Sequence, residues 1–201
     1  MSGPVTASGA GRLSVLATMA VTMPSSRARD VLLASSTREM SMLIRLLWVG
    51  AFAGAAAGIV YILMAELLVV LAYRPVDTAF RFMASILLGE RAFSAVVSVT
   101  DAILIGTLVA MVLSVAFGMM FGVLVARFPG LAATPGTLVV AGATFGGALW
   151  LLNVAVLGTL FWPWFWSANL TLQFLAMTVG YGTSLGAFFA LAGVHRPAEL
   201  E

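Results

Sequence analysis

The sequence predicts an all-α polytopic membrane protein: four transmembrane helices in a tight, glycine-rich bundle, with one amphipathic helix lying in the membrane interface. Three observations carry this. Of the 201 residues, 62% are hydrophobic and 9% charged, against about 45–50% and about 25% in a soluble domain. So few charged side chains cannot cover a water-facing surface, and the mean hydropathy of +1.09 agrees. Four apolar runs each reach the ~20 residues that cross ~30 Å of hydrocarbon at ~1.5 Å per residue. Glycines recur four residues apart in every run.

The same counts exclude whole classes of chemistry. Without cysteine there are no disulfides, zinc-thiolate sites, iron–sulfur clusters or thiol nucleophiles. One histidine, His195, cannot supply the two axial ligands of a bis-imidazole haem. Beside Arg196 and Pro197 it reads as a solvated residue of a polar tail. No cofactor and no metal is expected. The net charge of +2 rests entirely on arginines and fits loop flanks better than a nucleic-acid surface.

In chain order, residues 1–39 read as a disordered leader rich in Ser, Ala, Gly and Thr. Its apolar run, Leu13 to Met23, is too short to span a bilayer. That run imitates the core of a signal peptide, but Arg12 is its only basic flank and Pro24-Ser25-Ser26 is a poor cleavage signature. A true start at Met40 or Met42 is the other reading. The four-helix domain then occupies 40–196, and 197–201 form a tail.

The spans are expected at about 46–73, 102–126, 138–160 and 170–194. Inside lipid every backbone polar group needs an internal partner, which makes these runs helices. Between the first two spans, Val76, Phe80, Met83, Ala84 and Leu87 fall at helical spacing, so 76–88 reads as an amphipathic interfacial helix ended by Gly89. The second connection, Arg127 to Gly136, is a turn. The third, Phe161-Trp162-Pro163-Trp164-Phe165-Trp166, concentrates indoles, which prefer the headgroup level.

Arginine sets the expected orientation. An even number of spans puts both termini and the second connection on one side, with Arg12, Arg27, Arg29, Arg38, Arg45, Arg127 and Arg196. Arg74, Arg81 and Arg91 fall on the other. The bias places both termini in the cytoplasm.

Helix packing is expected at Gly50, Gly54 and Gly58, at Gly118 and Gly122, at Gly142 and Gly146, and at Gly182 and Gly186. Residues four apart share a helix face, and glycine there lets backbones approach. The pattern also repeats: Gly50-Ala51-Phe52-Ala53-Gly54 matches Gly142-Ala143-Thr144-Phe145-Gly146, and Phe117-Gly118 to Ala126 matches Tyr181-Gly182 to Ala190. Two parallel copies of a two-helix unit account for this; coincidence in Gly- and Ala-rich helices is the alternative.

Four polar side chains, Glu66, Asp101, Asn153 and Gln173, are expected in the outer third of the membrane as a candidate polar site. An ionisable group at membrane depth is a functional candidate. Its plainer role is an ion pair, for which Arg81 and Arg91 are the partners at hand. Thr178-Val179-Gly180-Tyr181-Gly182 spells a potassium-channel selectivity filter. Only Thr183 to Val194 follow it, about 18 Å of helix, too short for the inner helix that a channel requires. The segment therefore reads as part of the fourth span.

Gly50 to Tyr61, the Pro75…Arg81…Ala84…Leu88-Gly89 stretch, Asn153 and Phe161-Trp162-Pro163-Trp164-Phe165 together resemble small four-helix inner-membrane proteins of bacteria. The resemblance covers about residues 45–192 and implies no particular activity. Small multidrug exporters also pair four helices with a first-helix glutamate, but the long connection Arg74 to Asp101 speaks against them. The expected function is non-enzymatic: an accessory or structural subunit of a membrane assembly, embedded in lipid and packed against other subunits or itself. The alternative is a small solute, proton or cation transporter or channel built on Glu66 and the outer polar cluster.

Overall fold

The computed structural model describes residues 25–167 and 169–195. Two units divide the chain, Met1–Met42 and Leu43–Glu201. Among the described residues all regular structure is helical. α1 covers Ser25–Leu71, α2 Thr78–Leu88, α3 Val99–Arg127, α4 Pro135–Phe161 and α5 Leu170–Leu191. Met40–Leu71 of α1, together with α3, α4 and α5, are long and apolar enough to cross a bilayer, so the chain is an all-helical, multi-pass membrane protein.

Residues 25–39, expected to be disordered, are helical; residues 1–24 and the tail 197–201 lie outside the described residues. The filter-like segment Thr178–Gly182 is helical within α5, as its length argument required. The boundaries have local causes. Ser98 caps α3 by accepting from the Asp101 amide at 3.1 Å. Thr134 caps α4 through a reciprocal box with Thr137, and Pro135 fills the first turn, where its missing N–H costs nothing. Asn169 caps α5 by accepting from the Leu172 amide at 3.2 Å. α2 ends at Gly89, whose φ of 62° is disfavoured for any residue with a Cβ.

Two glycine seams organise the bundle. In the α1–α3 seam, a Cβ on Gly50 would run into the Gly118 carbonyl, one on Gly54 into the Ser114 carbonyl, and one on Gly122 into the Leu46 carbonyl. In the α4–α5 seam, a Cβ on Gly142 would strike the Gly182 carbonyl and one on Gly186 the Leu138 carbonyl. One constant offset maps Leu46, Gly50 and Gly54 onto Leu138, Gly142 and Gly146; another maps Gly118 and Gly122 onto Gly182 and Gly186. The two helix pairs are thus built on equivalent contacts, antiparallel within each pair.

One place departs from that equivalence. Gly146 faces the Met177 carbonyl, although the offset pairs it with Thr178, the counterpart of Ser114. The reason is winding: residues Ala176–Thr183 of α5 make i→i+5 turns, and the residue such a turn adds slips everything before it by one position. Thr183 Oγ1 donates to the Thr178 carbonyl at 3.0 Å within that turn. α4 carries a similar stretch over Leu151–Gly158.

The two pairs meet through aromatic contacts. Phe121 of α3 packs on Phe145 of α4 at 5.3 Å and edge-on to Phe189 of α5 at 5.0 Å. Tyr181 is buried, and its hydroxyl donates to the Ser114 carbonyl at 2.7 Å. Gly180 of α5 lies against Met64 of α1, whose Cβ is 3.2 Å from the point a glycine Cβ would occupy.

Candidate functional site

The end of the bundle carrying Trp164 is where polar chemistry collects. It starts from α2, expected in the interface and found packed hard on α3: a Cβ on Gly106 would strike the Phe80 carbonyl. The chain after α2 makes a tight turn, Gly89–Phe93, and then a stretch without regular structure before α3. Carbonyls there lack ladder partners, and close to lipid they must find others.

Arg81 supplies them. Its Nε pairs with the Asp77 carboxylate one helical turn earlier. Its Nη1 donates to the carbonyls of Ala92 at 2.7 Å, Val97 at 3.2 Å and Ser94 at 3.4 Å, and Nη2 reaches Val97 at 3.3 Å. A planar guanidinium with five donors suits this fan of acceptors, and lysine's three would not. Arg81 is therefore a staple holding the irregular stretch to α2. It is not the partner of Glu66, and Arg91 is exposed with no ion pair among the described residues.

The aromatic connection closes over α2. Trp164 donates its indole N–H to Ser85, a fully buried hydroxyl, at 2.9 Å, and Ser85 donates onward to the Phe82 carbonyl at 2.7 Å. Phe82 sits edge-on to Phe93 at 5.0 Å and to Phe165 at 5.9 Å. The belt is thus not a row of free indoles at the headgroups; it is partly a clamp.

Beneath the clamp lies a cavity of about 540 Å³ between the end of α1, α2, the aromatic connection and the start of α5. Tyr61, Arg74, Arg81, Trp164, Asn169 and Gln173 contribute to its wall. A second, much smaller space of about 10 Å³ adjoins it, lined by Glu66, Phe80 and Gly106 and sharing Tyr61, Ala65, Ala79 and Met83 with the first.

None of the cavities described is lined by more than one of the four expected polar residues. Gln173 lines the larger cavity and Glu66 the smaller, and the two spaces share four wall residues. Asp101 is exposed, at the α3 cap, where it accepts from the Ser98 hydroxyl at 2.7 Å. Asn153 stays in the i→i+5 stretch of α4 and lines neither cavity. Glu66 Oε1 and Gln173 Oε1 are both buried without a hydrogen-bond partner among the described residues. His195, expected to be solvated, is half-buried, and its Nδ1 likewise lacks a partner.

Sequence reasoning passed over Asp77, Ser85, Ser114 and Arg74. A signal existed for the first: aspartate four residues before arginine, starting a helix, is a standard intrahelical pair. No signal pointed to Ser85 or Ser114, since a serine in an apolar run carries no pattern of its own. Among the described residues no group of three or more acidic or histidine side chains could hold a metal ion.

No family model, curated protein or solved structure matches the chain.

Proposed function

We propose that the protein is a non-enzymatic accessory or structural subunit of an assembly in the bacterial inner membrane. The observation that carries this reading is an unequal use of helix surface. Of the most apolar stretches of α3 and α5, 39% is buried in each, but only 17% in α1 and 22% in α4. The seams spend the small residues of α1 and leave its other side bare: Trp48, Phe52, Ile59, Leu63 and Leu67 form one exposed stripe at helical spacing. Trp48 and Phe52 are stacked at 6.1 Å and border an apolar groove of about 590 Å³ that also touches Ala53, Ala56 and Phe188. Small residues beside large aromatics suit a packed helix, because they let a partner backbone come close.

Rigid helix pairs also suit a scaffold. Each seam brings backbone against backbone, and such contacts leave no slack for the two helices of a pair to slide past each other. The transport alternative draws support from the unpartnered Glu66 oxygen. With Asp101 and Asn153 placed elsewhere, it rests on Glu66 and Gln173 alone.

The termini belong on the cytoplasmic side by the arginine bias, and reporter fusions at Ala133 and Ser167 check this. A periplasmic signal from Ala133 would invert the topology. Purification from native membranes in mild detergent, with mass spectrometry of the intact particle, tests the function. A stoichiometric partner or a defined oligomer is expected. A monomer accompanied by lipid alone would contradict the accessory role.

A further inference from the structure

We infer that the cavity beneath the Trp164 clamp is a binding site for one anionic glycerophospholipid, its phosphodiester at Arg74 and its chains along the apolar wall. The inference is independent of the accessory role.

Polarity is graded along the cavity wall. Ala65, Leu68, Leu172 and Ala176 form apolar wall, whereas Arg74, Thr78, Ser167 and Asn169 bring charge and hydrogen-bonding groups. A compartment of about 540 Å³ with that gradient fits an amphiphile better than a wholly polar solute. It also lies where α1 and α5 reach the aromatic connection, and clustered indoles mark the headgroup level.

Charge selects the sign of the ligand. Arg81 is already matched by Asp77. Arg74 has no acidic partner among the described residues, and its wall contains no carboxylate. The exposed mouth of the cavity therefore carries one positive charge without an acidic partner among the described residues, beside a half-apolar volume, and a phosphodiester there neutralises it.

Net charge then separates the lipids. Phosphatidylglycerol offers a net negative phosphodiester, whereas in phosphatidylcholine the choline cation cancels that charge.

The test is lipid retention by the intact full-length protein. Protein from nanodiscs holding equal amounts of chain-matched phosphatidylglycerol and phosphatidylcholine is released for native mass spectrometry. Wild type should retain one phosphatidylglycerol in preference. Arg74→Gln should reduce that preference about fivefold, the effect of one cationic side chain on an anionic lipid. Arg74→Lys should keep most of it. Arg127→Gln, at the opposite end of the bundle, should change nothing. Equal retention of both lipids, or an undiminished preference in Arg74→Gln, would overturn the site. Displacement by soluble glycerol 3-phosphate would overturn the assignment to a lipid, since the headgroup alone would then suffice.

Discussion

Trp164 and Ser85, 79 residues apart, share a hydrogen bond of 2.9 Å that ties the aromatic connection to α2. Ser85 is one of only two buried polar residues among those described, the other being Ser114. Its single hydroxyl serves twice, accepting from the indole and donating to Phe82. Removing it leaves two groups to re-pair; removing the indole N–H leaves the Phe82 bond intact.

The two substitutions should therefore differ. Ser85→Ala strands the indole N–H and is expected to cost about 1–3 kcal/mol, whereas Trp164→Phe forfeits one bond worth about 0.5–1.5 kcal/mol beyond its packing. Thermal unfolding in detergent measures both. The double variant should cost less than the sum, because both changes remove one interaction. Strict additivity would show that the contact is not energetically coupled.

The glycine seams make a prediction about symmetry. Gly50→Ala and Gly142→Ala each push a methyl into an equivalent carbonyl, of Gly118 and Gly182 respectively. Each should cost about 1–3 kcal/mol, the usual range for overpacking. Gly130→Ala is the control, because nothing lies within 4 Å of its added Cβ. Gly193 serves less well, since its φ of 69° makes any substitution there strained. Equal melting temperatures for Gly50→Ala and Gly130→Ala would contradict the seam.

Asp77 and Glu66 separate by role. Asp77→Asn deprives Arg81 of its charged partner and should cost about 1.5–3 kcal/mol, with faster amide exchange over residues 89–98. Glu66→Gln should leave that exchange unchanged, since no ion pair to the segment is lost. Loosening of 89–98 by Glu66→Gln would restore Glu66 as the anchor of the segment.

Much of this fold was legible in the sequence for a simple reason. Apolar length alone specifies a spanning helix, so four spans were expected and four helices are long and apolar enough to cross a membrane. The glycine spacing was legible because a four-residue period survives in any helix. What escaped notice depends on contacts that no period encodes. An i→i+5 turn has no composition signal, and so the slip at Met177 was invisible. The polar site was expected from depth, which brings Asp101 and Asn153 to the right level and says nothing about the direction they face. Arg81 went to its neighbour Asp77 and to carbonyls because an irregular segment needs donors, a demand created by the fold.

The role proposed for the exposed stripe of α1 is open to one direct measurement. A photo-reactive benzophenone amino acid replaces Phe52, and in a second protein Leu104, which is comparably exposed on α3 (71% and 64%). Both are irradiated in native membranes, and adducts are identified by mass. Phe52 should yield one discrete protein adduct, to another subunit or a second copy, while Leu104 should yield lipid adducts. Lipid adducts alone from both positions would contradict the accessory role, because the stripe would then face only the bilayer.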